Sequence, residues 1–228
     1  MNPDSRLEAL LSVPVLHGPQ VSPDGRWVAW SWSRLGPAAD VFAAPTDGSA
    51  LPIRLTETAD DTLVVSWTPD SRAVVVGQDR DGNERRRLFR VGLEEPGVIE
   101  PLTEQSPGYY VRGGQVHGRW LVYGANVDVE TGKEIEETWI YRHDLRSGER
   151  EVLAHPRRGN VYAPQLNTPG DHILYHRNDI DPAGLQVWLV DVEGRDDREI
   201  LNFGPRVKVY ASWFPDGRRA LFSAEAET

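Results

Sequence analysis

The chain has 228 residues, eight Trp and seven Tyr among them, no cysteine and a formal charge of −10. That length suits one large all-β domain with a real core. The acidic balance argues against sequence-independent nucleic-acid binding, which needs clustered Lys and Arg. The missing cysteines exclude both a disulfide framework and a thiolate metal site.

In chain order, residues 1–17 read as a short helical lead-in, with Asp4 or Ser5 capping Leu7-Glu8-Ala9-Leu10-Leu11. This segment lacks a basic stretch followed by an apolar one, and nothing in the chain approaches a membrane span. A soluble, cytoplasmic protein with no membrane partner is therefore expected.

From residue 18 onward one phrase recurs. Ser22-Pro23-Asp24-Gly25-Arg26-Trp27 is echoed at Thr68-Pro69-Asp70-Ser71-Arg72, His117-Gly118-Arg119-Trp120, Thr168-Pro169-Gly170-Asp171 and Phe214-Pro215-Asp216-Gly217-Arg218. Aligned on Gly25, Ser71, Gly118, Gly170 and Gly217, the spacings are 46, 47, 52 and 47 residues. A period of this size marks a repeat architecture. In each unit, short apolar runs of strand length alternate with Gly, Pro and Asp turns, which predicts four antiparallel strands.

The strands expected are 18–21, 27–31, 40–44 and 52–56, then 63–67, 73–78, 87–91 and 99–103. The third unit takes 109–115, 120–125, 138–144 and 149–154, with an insertion over 126–137 projecting from one rim. The fourth takes 161–166, 173–177, 186–191 and 198–201, and a half unit takes 209–213 and 219–223. This describes an all-β chain forming a partial β-propeller over 18–228, with blades near 18–58, 59–106, 107–156 and 157–205 and a half blade at 206–228. Within the second strands, Val28, Val74, Leu121, Ile173 and Ala220 should be equivalent. Ala29, Val75, Val122, Leu174 and Leu221 should face the other way.

Candidate chemistry is sparse. No G-x-S-x-G elbow frames Ser49, Ser147 or Ser223, and neither a P-loop nor a dinucleotide Gly motif is present. His172 and His176 share one side of a strand, too far apart to clamp one metal easily. Asp79-Arg80-Asp81-Gly82-Asn83 opens like a calcium loop, but its Gly comes early and Arg90 stands where a closing Glu belongs, so a turn is expected. Glu94-Glu95 and Glu136-Glu137 point apart on extended chain, and Arg85-Arg86-Arg87 reads as a solvated rim beside Asp79, Asp81 and Glu84. No residue is assigned to catalysis, cofactor binding or metal, and no cofactor is expected.

The stretch from Pro19 to Trp30, PQVSPDGRWVAW, resembles the opening of a prolyl oligopeptidase family serine peptidase, the acylaminoacyl-peptidase-like branch above all. Leu10-Leu11-Ser12-Val13-Pro14 and the Trp-x-Pro-Asp phrases at Trp67 and Trp213 fit the same template. The resemblance implies a non-catalytic propeller, usually of seven blades, over a separate C-terminal α/β-hydrolase domain bearing Ser, Asp and His. Nothing here matches those three residues. It also implies short peptides as substrates and, as partner, the chain's own hydrolase domain or another chain supplying the missing blades. Homo-oligomers are expected because the half blade leaves a strand edge open. TolB-like propellers use the same phrase, so a protein-interaction module is the alternative. A complete five-bladed ring closed by N-terminal strands is a third reading.

Overall fold

The structure is a computed structural model that describes residues 13, 15–33, 38–156 and 158–225. Its described elements are strands, with no helix among the described residues. The first sheet joins β1 (Val15–Val21), β2 (Trp27–Ser33), β3 (Asp40–Pro45) and β4 (Ile53–Arg54) in that order. The second joins β5 (Thr62–Trp67), β6 (Ala73–Gln78), β7 (Arg87–Gly92) and β8 (Ile99–Pro101). The third joins β9 (Val111–His117), β10 (Trp120–Asp128), β11 (Lys133–Asp144) and β12 (Arg150–Ala154). The fourth joins β13 (Val161–Leu166), β14 (His172–Arg177), β15 (Gln186–Asp191) and β16 (Arg198–Leu201), and β17 (Val209–Trp213) pairs with β18 (Ala220–Ala224). All pairings between these strands are antiparallel and join sequence neighbours, the connectivity of β-propeller blades.

One expectation needs correction. The helical lead-in falls largely outside the described residues, but Val15, Leu16 and His17 already belong to β1, pairing with Ser33, Trp32 and Ser31. The insertion over 126–137 takes the form of a longer hairpin. β10 and β11 simply continue, with Val127 opposite Glu134 and Asp128 opposite Lys133. The Asp128 carboxylate closes the turn by accepting from the Thr131 hydroxyl at 2.7 Å and the Glu130 amide at 3.0 Å. Those bonds, the hydroxyl first, hold its pKa below the ordinary aspartate value.

The recurrent phrase works as a turn with an internal clamp. Gly25 N–H donates to Ser22 O at 2.9 Å, Trp27 N–H to Ser22 Oγ at 3.0 Å, and the Ser22 hydroxyl to Asp24 Oδ1 at 2.6 Å. Thr68 repeats this with Ser71, Ala73 and Asp70. In the fourth blade the equivalent residue is Asn167, one position before the Thr168 of the sequence phrase, with His172 N–H on its Oδ1 at 3.1 Å. Gly25, Gly170 and Gly217 sit at φ of 74°, 76° and 64°. Ser71 takes the same left-handed position at 58°, where its hydroxyl receives the Asp24 amide.

The chain divides into two compact units, Met1–Glu104 and Gln105–Thr228. In the first unit, Ala29 and Val41 of one blade pack on Val74, Val76 and Trp67 of the next. In the second, Val122 and Ile140 meet Ile173, Tyr175 and Val190, and the far face of that blade sends Leu174 and Val187 against Val209, Ala211 and Ala220. Consecutive second-strand residues therefore face opposite neighbours, as the alternation predicts.

A side-chain stitch joins adjacent first strands. Trp67 Nε1 donates to Gln20 O and Trp213 Nε1 to Gln165 O, both at 2.9 Å. In return, Gln20 Nε2 donates to Val65 O and Gln165 Nε2 to Ala211 O. The half blade keeps an apolar outer surface, with Tyr210 and Leu221 exposed and Leu221 67% accessible.

Candidate functional site

The sequence candidates do not converge. Ser49 and Ser147 are exposed turn residues, and the Ser147 hydroxyl meets Glu149 at 3.3 Å rather than an imidazole. Ser223 lies on exposed β18. Asp81 and Gly82 have φ of 53° and 65°, and Asn83 N–H reaches Arg80 O at 3.1 Å, so the calcium-like segment is a tight type I′ turn. No cluster of three or more metal-ligating side chains occurs among the described residues. Glu94 and Glu95 are exposed in the bend after β7, and Glu136 and Glu137 point to opposite faces of β11. Arg87 departs from the solvated-rim expectation: it is buried at the start of β7.

His172 and His176 do share a face of β14, yet they serve different surroundings. His172 Nδ1 pairs with Asp171 at 2.9 Å in an open cleft lined by Trp213 and Arg218. His176 is buried and its Nε2 accepts the Ala211 amide at 3.0 Å, while its other nitrogen donates to the Tyr162 carbonyl. Burial pushes its pKa down, outweighing the carbonyl bond that raises it. With the folded pKa below the unfolded value of about 6.5, the unfolded chain takes up the proton first. Stability is thus complete above about pH 6.5 and declines as pH falls beneath it. The urea midpoint of the second unit should drop between about pH 7 and 5, and His176→Gln should flatten that dependence. An unchanged slope in the variant would contradict the assignment.

Near His176, one residue of the described first strands carries a full charge. The five first strands read VLHGPQV, TLVVSW, VRGGQVH, VYAPQL and VYASW, and Arg112 is their single Lys, Arg, Asp or Glu. The fourth strands are unlike them, each carrying an ionised residue: Arg54, Glu100, Arg150 with Glu151, and Arg198 with Glu199.

Arg112 is held between two rings, its guanidinium carbon 5.1 Å from the Tyr110 centroid and 4.6 Å from that of Tyr162. Tyr110 OH reaches Asn160 Oδ1 at 3.5 Å, and Tyr162 OH receives Asn178 Nδ2 at 3.3 Å. Asn178 Oδ1 accepts the Asn160 amide at 2.7 Å, and Asn126 does the same for the Tyr110 amide at 2.7 Å. The two asparagines occupy matching places after the turn glycines, a correspondence the sequence reading missed.

The first strands bulge in every complete blade. Pairing slips between His17 and Gln20 in β1, between Val64 and Ser66 in β5, opposite Val122 to Gly124 in β9, and between Tyr162 and Gln165 in β13. Gly113 sits at a φ of 71°, where a Cβ would come 3.0 Å from Pro164 Cδ, so glycine is favoured. Ala163 takes a φ of 45°, a strained conformation for a residue with a side chain.

Three other arginines of low exposure differ. Arg54 meets Asp40 and Glu57, Arg142 meets Glu151 and Glu193, and Arg177 meets Asp179 and Asp197. Arg112 has no carboxylate within ion-pair distance among the described residues, while its Nε, like those of Arg54, Arg142 and Arg177, is buried without an acceptor. A guanidinium held by aromatic rings without a counter-charge can pair with a planar anion.

No family model matches the chain. Over 221 residues, 88% of the chain, it is 29% identical to Tricorn protease homolog 1 of Streptomyces coelicolor, of which the match covers 19%. It superposes on a TolB of Agrobacterium tumefaciens with a TM-score of 0.62 at 18% identity, over 81% of this chain and 65% of that one. A prolyl endopeptidase gives a TM-score of 0.59 at 15% identity, over 87% of this chain and 30% of that one. The chain therefore spans less than two thirds of each of these proteins. What the two solved structures share with it is the fold.

Proposed function

We propose that the chain is the non-catalytic propeller portion of a serine peptidase, admitting short peptides to an α/β-hydrolase domain outside these residues. The observation that carries the reading is the identity to a protease over nearly the whole chain, which agrees with the resemblance of the Pro19 to Trp30 stretch. Peptide cleavage needs an activated nucleophile and an oxyanion hole, and none of Ser49, Ser147 and Ser223 has a histidine partner. The isolated chain should remain unlabelled by a fluorophosphonate probe, while the protein from the whole reading frame should take up one equivalent. Stoichiometric labelling of a serine within residues 1–228 would overturn the assignment.

The likeness to TolB supports a second reading, a protein-interaction propeller with no hydrolase domain. That reading expects no labelling of the whole-frame protein.

The partner surface follows from the half blade. Leu221 and Tyr210 on its outer face lie beside Ser212 and Ser223, an apolar-to-small surface of the kind a further sheet covers. We propose that the chain's own further blades, or a second copy, cover it. Light scattering of the isolated chain should show concentration-dependent association that Leu221→Lys reduces. A monodisperse monomer at every concentration would contradict the proposal.

A further inference from the structure

We propose that protonation of His176 releases β17 and β18 from the fourth blade while the third and fourth blades stay folded. The half blade is then a flap that acid opens, and nothing in this device depends on a hydrolase domain.

Packing holds the half blade weakly. A two-stranded sheet has little stability of its own. Its seam with the fourth blade includes Ala211, Ala220 and Ala224, each of which buries little area. Polar bonds across the seam therefore carry a large share of the hold. Ala211 is gripped at both backbone groups: its N–H donates to His176 Nε2 at 3.0 Å, and its carbonyl accepts from Gln165 Nε2 at 3.3 Å. Further bonds run from Trp213 Nε1 to Gln165 O, from Val209 N–H to Leu185 O, from Asn167 Nδ2 to Gly217 O and from Thr168 Oγ1 to Pro215 O. None of those four involves a group that titrates.

His176 grips only as a neutral imidazole. Its Nδ1 donates to the Tyr162 carbonyl, which leaves Nε2 as the nitrogen with a free lone pair. A second proton turns Nε2 into a donor facing a donor, on a residue that is 4% exposed. The groups packed on the ring give the new charge no partner. β15 presents Val187, β17 presents the Tyr210 ring at 6.1 Å, and β13 presents Tyr162, against which the cation Arg112 stacks. No carboxylate lies within ion-pair distance of His176 among the described residues. His172 sits at the same seam but works in the opposite sense, because protonation strengthens its pair with Asp171.

Undocking admits water to the His176 ring and relieves this cost. Burial holds the docked pKa below that of a hydrated imidazole, about 6.5. The open state therefore takes the proton first, and the docked state loses ground as pH falls.

Amide hydrogen exchange of the 228-residue chain, expressed as protection factors so that intrinsic exchange rates cancel, tests the proposal. At about pH 7.5 the Val209 and Ala211 amides should be at least about tenfold less protected than the slowest amides of β10 and β11. Low urea should barely change their exchange, the mark of an opening that exposes little surface. Between about pH 7.5 and 5.5 their protection should fall several-fold, about tenfold at most, the limit for one group of pKa about 6.5. His176→Gln should abolish that fall, since its amide oxygen accepts from Ala211 without titrating.

The proposal is overturned if Val209 and Ala211 match the slowest amides of β10 and β11, because the half blade then opens only with the whole unit. Protection that is constant with pH, or a fall that survives His176→Gln, overturns it equally. If His176→Gln fails to fold, the ring nitrogens of His176 in the unmodified chain decide. They should read as neutral at about pH 6.5 while β17 is protected, and a protonated ring in the docked chain at that pH would contradict the latch.

Discussion

Trp67→Ala should destabilise the first unit by about 3–5 kcal/mol, the range for removing a large buried aromatic from a core. Trp67 is 4% exposed and packs among Ala29, Val41, Val74 and Leu55, so its removal opens a void at the junction of two blades. It also strands the Gln20 carbonyl, which now receives the indole N–H at 2.9 Å. Trp67→Phe separates the two contributions. It keeps most of the buried area and loses only the hydrogen bond, so its cost should be about 1–2 kcal/mol. Trp213 makes the same bond to Gln165, but it is only partly buried, and Trp213→Ala should cost less than Trp67→Ala. Urea melts of the three variants decide the matter, and equal costs for Trp67→Phe and Trp67→Ala would contradict the packing argument.

Arg177→Met should cost about 3 kcal/mol and Arg142→Met clearly less, although both guanidinium groups are buried. The difference lies in what each leaves behind. Arg177 bonds Asp179 at 2.6 Å and Asp197 at 3.2 Å, with those side chains only 15% and 27% exposed. It also lies 3.8 Å over the Trp188 ring, and Asp197 in turn accepts from the Tyr175 hydroxyl. Removing the guanidinium strands two carboxylates with little access to water. Arg142 bonds Glu151 and Glu193, which are 62% and 53% exposed and can hydrate when released. Adding Asp179→Asn and Asp197→Asn to Arg177→Met should recover part of the loss. Equal destabilisation by the two single substitutions, or no recovery, would contradict this account.

Much of the architecture was legible in the sequence because a repeat writes its own alignment. The fixed spacing of Gly25, Ser71, Gly118, Gly170 and Gly217 located the turns, and strands such as Val161–Leu166, Gln186–Asp191 and Arg198–Leu201 lie where their apolar runs predicted. Legibility failed where local chemistry and pairing disagree. Residues 126–137 include four Glu and only two β-branched Val and one Ile, yet cross-strand pairing carries β10 and β11 through all but the turn at 129–132. Asn167 was hidden because the proline of that turn sits one place later than in the others.

The candidate site was not legible at all. Arg112 lies in an ordinary-looking Val-Arg-Gly-Gly run, and only tertiary structure brings the Tyr162 ring, fifty positions on, against it. A scan for isolated charges on first strands could have found it. No local motif distinguishes a paired arginine from an unpaired one.

The central claim is that these blades screen substrates for a peptidase, and substrate length is its most direct measure. Hydrolysis by the whole-frame protein should be compared across acetylated peptides of increasing length and a folded protein carrying the same cleavable sequence in an exposed loop. The account predicts efficient cleavage of the short peptides, decline with length and none of the folded protein. Cleavage of the folded protein as fast as of the short peptides, or no peptide hydrolysis at all, would contradict it.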